Sequence, residues 1–197
     1  MIYDDATNLT WLQDVNYART IGLQGELLRD EWGRTQPSVD QNGHLTWNEA
    51  MRFAEGLTYG GYDDWRLPRQ GTGPAVHEDR HSELAVMFYY SLGNQGAYID
   101  GVYNRAPYGL LNKSPFLFGN TTIFWTGDID RNGYTSIFDM NHGFSGATDR
   151  NSIFNHFGAW LVRDGDVATS VPEPSAFSLL LLGVAGLLTQ KLKRKQR

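Results

Sequence analysis

Hydrophobic residues follow two different patterns in this chain of 197 residues. Over most of its length they come in short clusters separated by polar, glycine-rich turns, which predicts short strands and few helices. Near the C-terminus, residues 176–188 form one apolar run, and Leu179, Leu180, Leu181 and Leu182 leave no polar face at helical period. Strand patterns fall at Ile2-Tyr3-Asp4 and Leu9-Thr10-Trp11-Leu12, around an Asp5-Ala6-Thr7-Asn8 turn. Residues 13–41 show no period, and Gly22, Gly25, Gly33 and Pro37 predict loop with about one helical turn. Thr46 with Glu49 then reads as a capping box, followed by Trp47, Ala50, Met51, Ala54 and Leu57 on one helical face, with Gly60-Gly61 as the stop.

Further on, Tyr62 to Pro68 is a compact turn into extended chain, and residues 70–80 are a polar loop. Ser82 is placed to cap a second helix over 83–92, with Gly93 ending it. Residues 96–119 read as irregular, and strands at 122–126, 135–140 and 158–163 close the body. The expected fold class is α+β: two helices packed on a small, mainly antiparallel twisted sheet with long loops, followed by a single C-terminal transmembrane helix. The expected boundaries are a domain over 1–166, a linker over 167–175, a membrane helix over 176–190 and a basic tail over 191–197.

The tail decides where such a domain would work. Thirteen helical residues span about 20 Å, against a hydrocarbon core of about 30 Å. Ser175, Thr189 and Gln190 lengthen the run, and Lys191 can snorkel its ammonium to the headgroups. Lys191, Lys193, Arg194, Lys195 and Arg197 mark a cytoplasmic end, which places the body across the membrane. A buried amphipathic helix with a solvated basic end is the plainer alternative, and it lacks the polar face it would need.

Pro172-Glu173-Pro174, a short apolar helix and a terminal Lys/Arg cluster, in that order, resemble the PEP-CTERM sorting signal. That resemblance implies recognition of Pro172, Glu173 and Pro174 by an exosortase, which cleaves the signal. Residence in the inner membrane is then transient, and the product ends on the surface or in the matrix of a Gram-negative bacterium. Met1 to Asp5 carries no basic start or apolar segment, so export through the Sec machinery implies a signal peptide upstream of this chain.

Composition narrows the body further. There is no cysteine, which excludes disulfides, thiolate metal sites and a cysteine nucleophile. The formal net charge is −5, but removing the five basic residues of the tail leaves 12 Lys and Arg against 22 Asp and Glu, or −10. An acidic body argues against nucleic acid and suits cations or neutral glycans.

The body also resembles a known family. The order Leu9-Thr10-Trp11, Leu45-Thr46-Trp47-Asn48-Glu49-Ala50, Asp64-Trp65-Arg66-Leu67-Pro68, Ser82-Glu83-Leu84, Phe124-Trp125-Thr126 and Trp160-Leu161-Val162-Arg163 is similar to the DUF1566, or Lcl C-terminal-like, family. Trp65-Arg66-Leu67-Pro68 is its sharpest box. The resemblance implies an extracellular α+β domain, adhesive in some members, with no established catalytic residues. In the adhesin for which the family is named, sulfated-glycan binding relies on positive charge, so that ligand class does not transfer to an acidic body. The box is distantly similar to formylglycine-generating enzymes, which implies a C-type-lectin-like architecture. Their activity needs paired cysteines, which this chain lacks.

Three groups of residues could carry chemistry. Asp128, Asp130 and Asn132, with Gly133 at the sixth place and Asp139 at the twelfth, match the oxygen spacing of a calcium loop. The same letters form an Asn-Gly hairpin turn between strands. His77, Glu78, Asp79 and His81 read either as a zinc-capable cluster or as a solvated loop. Tyr59, Tyr62, Tyr89, Tyr98, Tyr103, Tyr108 and Tyr134 lie in or beside loops, where their rings either anchor the fold or stack on sugars. Trp65, Arg66 and Pro68 read as structural, with Arg66 a partner for Asp63, Asp64 or a carbonyl. The expected function is a non-enzymatic exported surface or matrix protein with an adhesion-like domain binding exopolysaccharide or neighbouring envelope components. A polysaccharide hydrolase or lyase, or a ligand-free matrix component, is the alternative.

Overall fold

The structure is a computed structural model that describes residues 1–72 and 81–167. The body is the compact unit Met1–Gly165; of the second unit, Asp166–Arg197, only Asp166 and Val167 are described. The Pro172-Glu173-Pro174 step, the apolar run and the basic end therefore lie outside the described residues, as do His77, Glu78 and Asp79. Among the described residues, no helix is long and apolar enough to cross a membrane.

Short apolar clusters give short strands. β1 (Ile2–Asp4) and β2 (Leu9–Trp11) form a hairpin, and β2 also pairs antiparallel with the final strand β10 (Val162–Asp164). The region expected to be loop holds one helical turn, α1 (Tyr17–Thr20), and a hairpin of β3 (Leu27–Arg29) and β4 (Thr35–Pro37). A second small hairpin joins β5 (Tyr98–Ile99) to β6 (Val102–Tyr103). Its turn is Asp100-Gly101, with both φ values positive at 50° and 74°, the geometry of a primed two-residue turn. The second sheet is a meander of β7 (Ile123–Ile129), β8 (Tyr134–Asp139) and β9 (Phe144–Asp149). The single small sheet expected from sequence is thus two three-stranded antiparallel sheets plus hairpins among the described residues. β9 carries Gly146 and Asp149 in a half-exposed strand, so its apolar alternation is too weak to read.

The helices differ in detail from expectation. α2 runs Trp47–Gly56, buries Trp47, Ala50, Phe53 and Ala54, and stops a turn before Gly60-Gly61. Thr46 sits at its N-cap, but its hydroxyl makes no capping bond, and Glu49 instead accepts from Ser38 Oγ at 2.9 Å and Arg52 Nη2 at 2.8 Å. The capping-box letters are present without the reciprocal bonds. The second helix is one α turn, α3 (Glu83–Val86), continued by a π-helical segment Met87–Ser91 whose i→i+5 bond is Leu92 N–H to Met87 O at 2.9 Å. Gly93 does end it, at φ +66°.

Segment 157–162 fastens the two sheets together. The Gly158 amide donates to Ile123 O and its carbonyl accepts from the Trp125 amide, while Leu161 O accepts from Leu12 N and Val162 exchanges both bonds with Arg66. Indoles reinforce this closure: Trp47 Nε1 donates to Thr126 O, Trp125 Nε1 to Leu45 O and Trp160 Nε1 to Leu12 O, at 2.8, 2.7 and 2.8 Å. Buried N–H groups left without acceptors would cost about 1–3 kcal/mol each. These bonds therefore fix which chain segments meet.

Candidate functional site

Three of the four family-box residues are buried, and Arg66 is half-buried. Trp65 and Leu67 are buried at 3% exposure, and Trp65 Nε1 donates to Tyr59 O at 3.3 Å. Pro68 is buried, and its carbonyl accepts from the Gly127 amide at 2.8 Å. Arg66 does not pair with Asp63 or Asp64. Its guanidinium donates to both oxygens of Glu83, at 2.7 and 2.9 Å, to Asp164 Oδ1 at 2.5 Å and to Leu67 O at 3.2 Å. Burial alone would depress the Arg66 pKa, but the bonds to Glu83 and Asp164 outweigh it and raise the pKa. Asp64 instead holds Arg163 at 2.7 and 3.0 Å, and that guanidinium lies 3.9 Å from the Tyr62 ring centre.

The structure does not gather the four calcium-spaced residues. Asp128 lies within the irregular stretch of β7, and its Oδ2 accepts from the amides of Gln70 and Gly71. Asp130 Oδ1 accepts from the Asn132 and Tyr134 amides at 2.8 Å each, which closes the β7–β8 turn. Asp139 sits at the far end of β8, bonded to the Asn141 amide and to His142 Nδ1 at 2.6 Å. The hairpin reading accounts for these letters. Among the described residues, no group of three or more His, Asp and Glu is placed to hold a metal ion. His81 lines a separate groove with Arg69, Glu83 and Asp164.

The sequence-based candidates omitted the most exposed aromatic side chain among the described residues. Five tryptophans, Trp11, Trp47, Trp65, Trp125 and Trp160, are 5% exposed or less, whereas Trp32 is 72% exposed. Its position is set by Asp30. Asp30 Oδ1 accepts from the amides of Trp32 and Arg34, at 3.1 and 2.7 Å, and Oδ2 accepts from Arg34 Nε at 2.6 Å. Gly33, at φ +79°, supplies the left-handed residue that the β3–β4 turn requires. Burial works to raise the Asp30 pKa, but the bonds from Arg34 and the turn amides outweigh it and hold the carboxyl below its ordinary value.

Across from this turn, the chain after β9 folds back in a tight loop. Asn151 N donates to Asp149 Oδ1 at 2.9 Å, Phe154 N to Ser152 Oγ at 3.3 Å, and Asn155 Nδ2 to Thr148 Oγ1 at 2.8 Å. The loop presents Phe154, 41% exposed. Between the two elements, the Arg34 guanidinium carbon lies 4.9 Å from the Trp32 ring centre and 4.4 Å from that of Phe154. Together they line an open groove of about 380 Å³ that also includes Arg29, Asp30, Glu31, Asp149, Asn151 and Ser152. Aromatic faces, two cations, three carboxylates and neutral hydrogen-bonding groups converge there, on the scale of a small-ligand site. The one available sequence signal was Trp32 itself, a bulky aromatic in an otherwise charged turn.

Of the loop tyrosines, expected either to anchor the fold or to stack on sugars, Tyr59 and Tyr62 pack against Trp65 and Arg163, and the Tyr89 hydroxyl donates to Gly143 O at 2.7 Å. Tyr134 is exposed opposite Asp149 in the β8–β9 register. Tyr98, Tyr103 and Tyr108 form a file of edge-on rings at 5.8 and 5.9 Å.

Residues 1–163 match the family model described as the Lcl C-terminal domain. No curated protein and no solved structure matches the chain.

Proposed function

The chain belongs to the Lcl C-terminal domain family, and on that premise we propose that its body is a non-catalytic, adhesion-like module that binds neutral glycan in the Trp32–Arg34–Phe154 groove. The observation that carries this reading is Trp32. An indole at 72% exposure on a turn built by Asp30 contributes little to folding, while its flat face suits the apolar side of a pyranose ring. Asp149, Asn151 and Ser152 supply hydrogen-bonding groups for sugar hydroxyls beside that face. Two cations against three carboxylates, on an acidic body, favour a neutral polymer over a uronate or sulfated one. A C-type-lectin-like arrangement belongs to the same reading, supported by the antiparallel pairing of the last strand, β10, with β2 near the start of the chain.

Asp30 is unsuited to serve as the general acid of a polysaccharide hydrolase. A general acid needs a raised pKa, whereas Asp30 is held low and both its oxygens are engaged.

The C-terminal stretch supplies the context of this proposal. The chain is exported through Sec, held briefly in the inner membrane by residues 176–190, and processed by an exosortase that recognises Pro172-Glu173-Pro174, leaving the body at the cell surface or in the matrix. Replacing Pro172 and Pro174 with alanine in the producing cell is expected to retain the uncut chain in the membrane fraction. Normal release of the altered chain would overturn the sorting reading.

For the glycan reading, the full-length chain in a non-glycosidic detergent is titrated calorimetrically with a neutral β-glucan and with a uronate polymer. Saturable heat with the first, little with the second, and at least tenfold weaker binding in Trp32→Ala are expected. Equal binding by Trp32→Ala, or preference for the uronate, would overturn the groove assignment.

A further inference from the structure

Strand β9 joins the groove to a second aromatic surface. At its C-terminal end lies Asp149, and just beyond it Asn151 and Phe154, all three of the groove. Just before its N-terminal end, in the β8–β9 turn, lies His142, whose ring centre is 6.2 Å from that of Tyr108. From Tyr108 the aromatic file continues to Tyr103 and Tyr98 on the β5–β6 hairpin. This file is fixed by hydrogen bonds at several points. The hydroxyls of Tyr103 and Tyr108 are 3.2 Å apart, the Ala97 amide donates to His142 O at 2.8 Å, and the Asn104 amide donates to Ala97 O at 2.8 Å. Asp139 holds His142 Nδ1 at 2.6 Å.

The surface remains open despite this support. Tyr103 is 54% exposed and Val102 is 69% exposed. A monomeric domain gains nothing in folding by presenting these groups to water. Tyrosines paired through their hydroxyls, with a carboxylate-held imidazole alongside, offer aromatic rings edged by donors and acceptors, a feature shared with the groove.

We propose that the Tyr98–Tyr103–Tyr108–His142 file is a second subsite for the same neutral polysaccharide, so that one domain engages two separate stretches of glycan. The inference rests on the glycan reading of the Trp32 groove. The six residues of β9 span about 17 Å, so the two subsites lie too far apart to act on one sugar ring. Once one subsite holds a polymer, the second meets nearby sugar units at a high effective concentration. Long chains are therefore bound more tightly than short ones, and separate chains are cross-linked. A surface or matrix protein with two such faces would stiffen the polymer network it binds.

Calorimetry of the full-length chain with cellohexaose as a short neutral probe tests this directly. Two oligosaccharides per chain are expected, falling to one in Trp32→Ala and to one in Tyr103→Ala. Tyr103→Phe keeps the ring and is expected to keep two, which separates stacking from loss of fold; an unchanged melting temperature in Tyr103→Ala completes that control. The wild-type chain should also make a solution of long β-glucan turbid, and either alanine variant should not. A stoichiometry of one that Trp32→Ala abolishes and Tyr103→Ala leaves intact would overturn the second subsite and leave the groove standing. No heat with wild type would overturn both.

Discussion

Arg66 and Glu83 meet in a two-pronged ion pair, Nη1 to Oε2 at 2.7 Å and Nη2 to Oε1 at 2.9 Å, with both side chains largely shielded from water. Glu83 Oε2 also accepts from the Arg69 amide at 2.8 Å, and Arg66 reaches Asp164 on the last strand. One guanidinium thus ties the family box to the start of α3 and to β10. Its planar fork suits a carboxylate in a way that an ammonium cannot match.

Arg66→Met is expected to destabilise the protein by about 2–3 kcal/mol, because it strands a shielded carboxylate. Arg66→Lys should cost about 1 kcal/mol through lost bonds. In urea denaturation, a double-mutant cycle with Glu83→Gln should show coupling above about 1 kcal/mol. Additive effects would mean that the pair is not energetically linked.

Acid should weaken the fold in two stages. The Asp64 pKa is lowered first by its bond from Arg163, and that of Asp164 by its bond from Arg66. A carboxyl with a depressed folded pKa stabilises above its unfolded value, here 3.8, and loses that contribution as pH falls through the folded pKa. His44 has its pKa lowered by burial, despite the opposing charge of Asp40. Its neutral form is favoured in the fold, so its contribution is present above 6.5 and declines below it. Melting temperature should therefore fall gently from about pH 6.5 and more steeply below about pH 4. His44→Gln should flatten the first stage, and Asp64→Asn with Asp164→Asn the second.

Gly158 leaves no room for a side chain. A Cβ there would lie 2.5 Å from Thr121 Cγ2 and 2.7 Å from the Phe124 ring. Gly158→Ala is expected to destabilise by about 1–3 kcal/mol through overpacking. Thermal unfolding indistinguishable from wild type would show that Phe124 yields at no cost.

At the β7–β8 turn, Asp130→Ala should cost about 1 kcal/mol through its two amide bonds. That loss is expected to be the same in calcium and in chelator, because Asp139 lies at the other end of β8. A melting temperature that rises with calcium in wild type but not in Asp130→Ala would restore the metal reading.

Trp32→Ala should change folding stability by less than about 0.5 kcal/mol, as an exposed site does. A loss of several kcal/mol would make Trp32 a structural residue.

Much of the body was legible because its signals are local. β1, β2 and α2 follow from apolar period, and Gly93 from the left-handed backbone a helix end requires. The family order of residues is likewise a linear property. β9 and the β3–β4 hairpin were missed because their strands are short, polar and half-exposed, so they owe their form to a partner strand more than to their own pattern.

What three dimensions decided is which side chains meet. Trp160 finds its acceptor 148 residues away at Leu12, and Arg163 finds Asp64 at a separation of 99. No local period encodes such distances; they follow from packing segment 157–162 between two sheets. The same closure buries five tryptophans and leaves Trp32 outside, although all six are the same letter in the chain. The groove exists only because a turn ordered by Asp30 and a loop ordered by Asp149 are folded to face each other across Arg34.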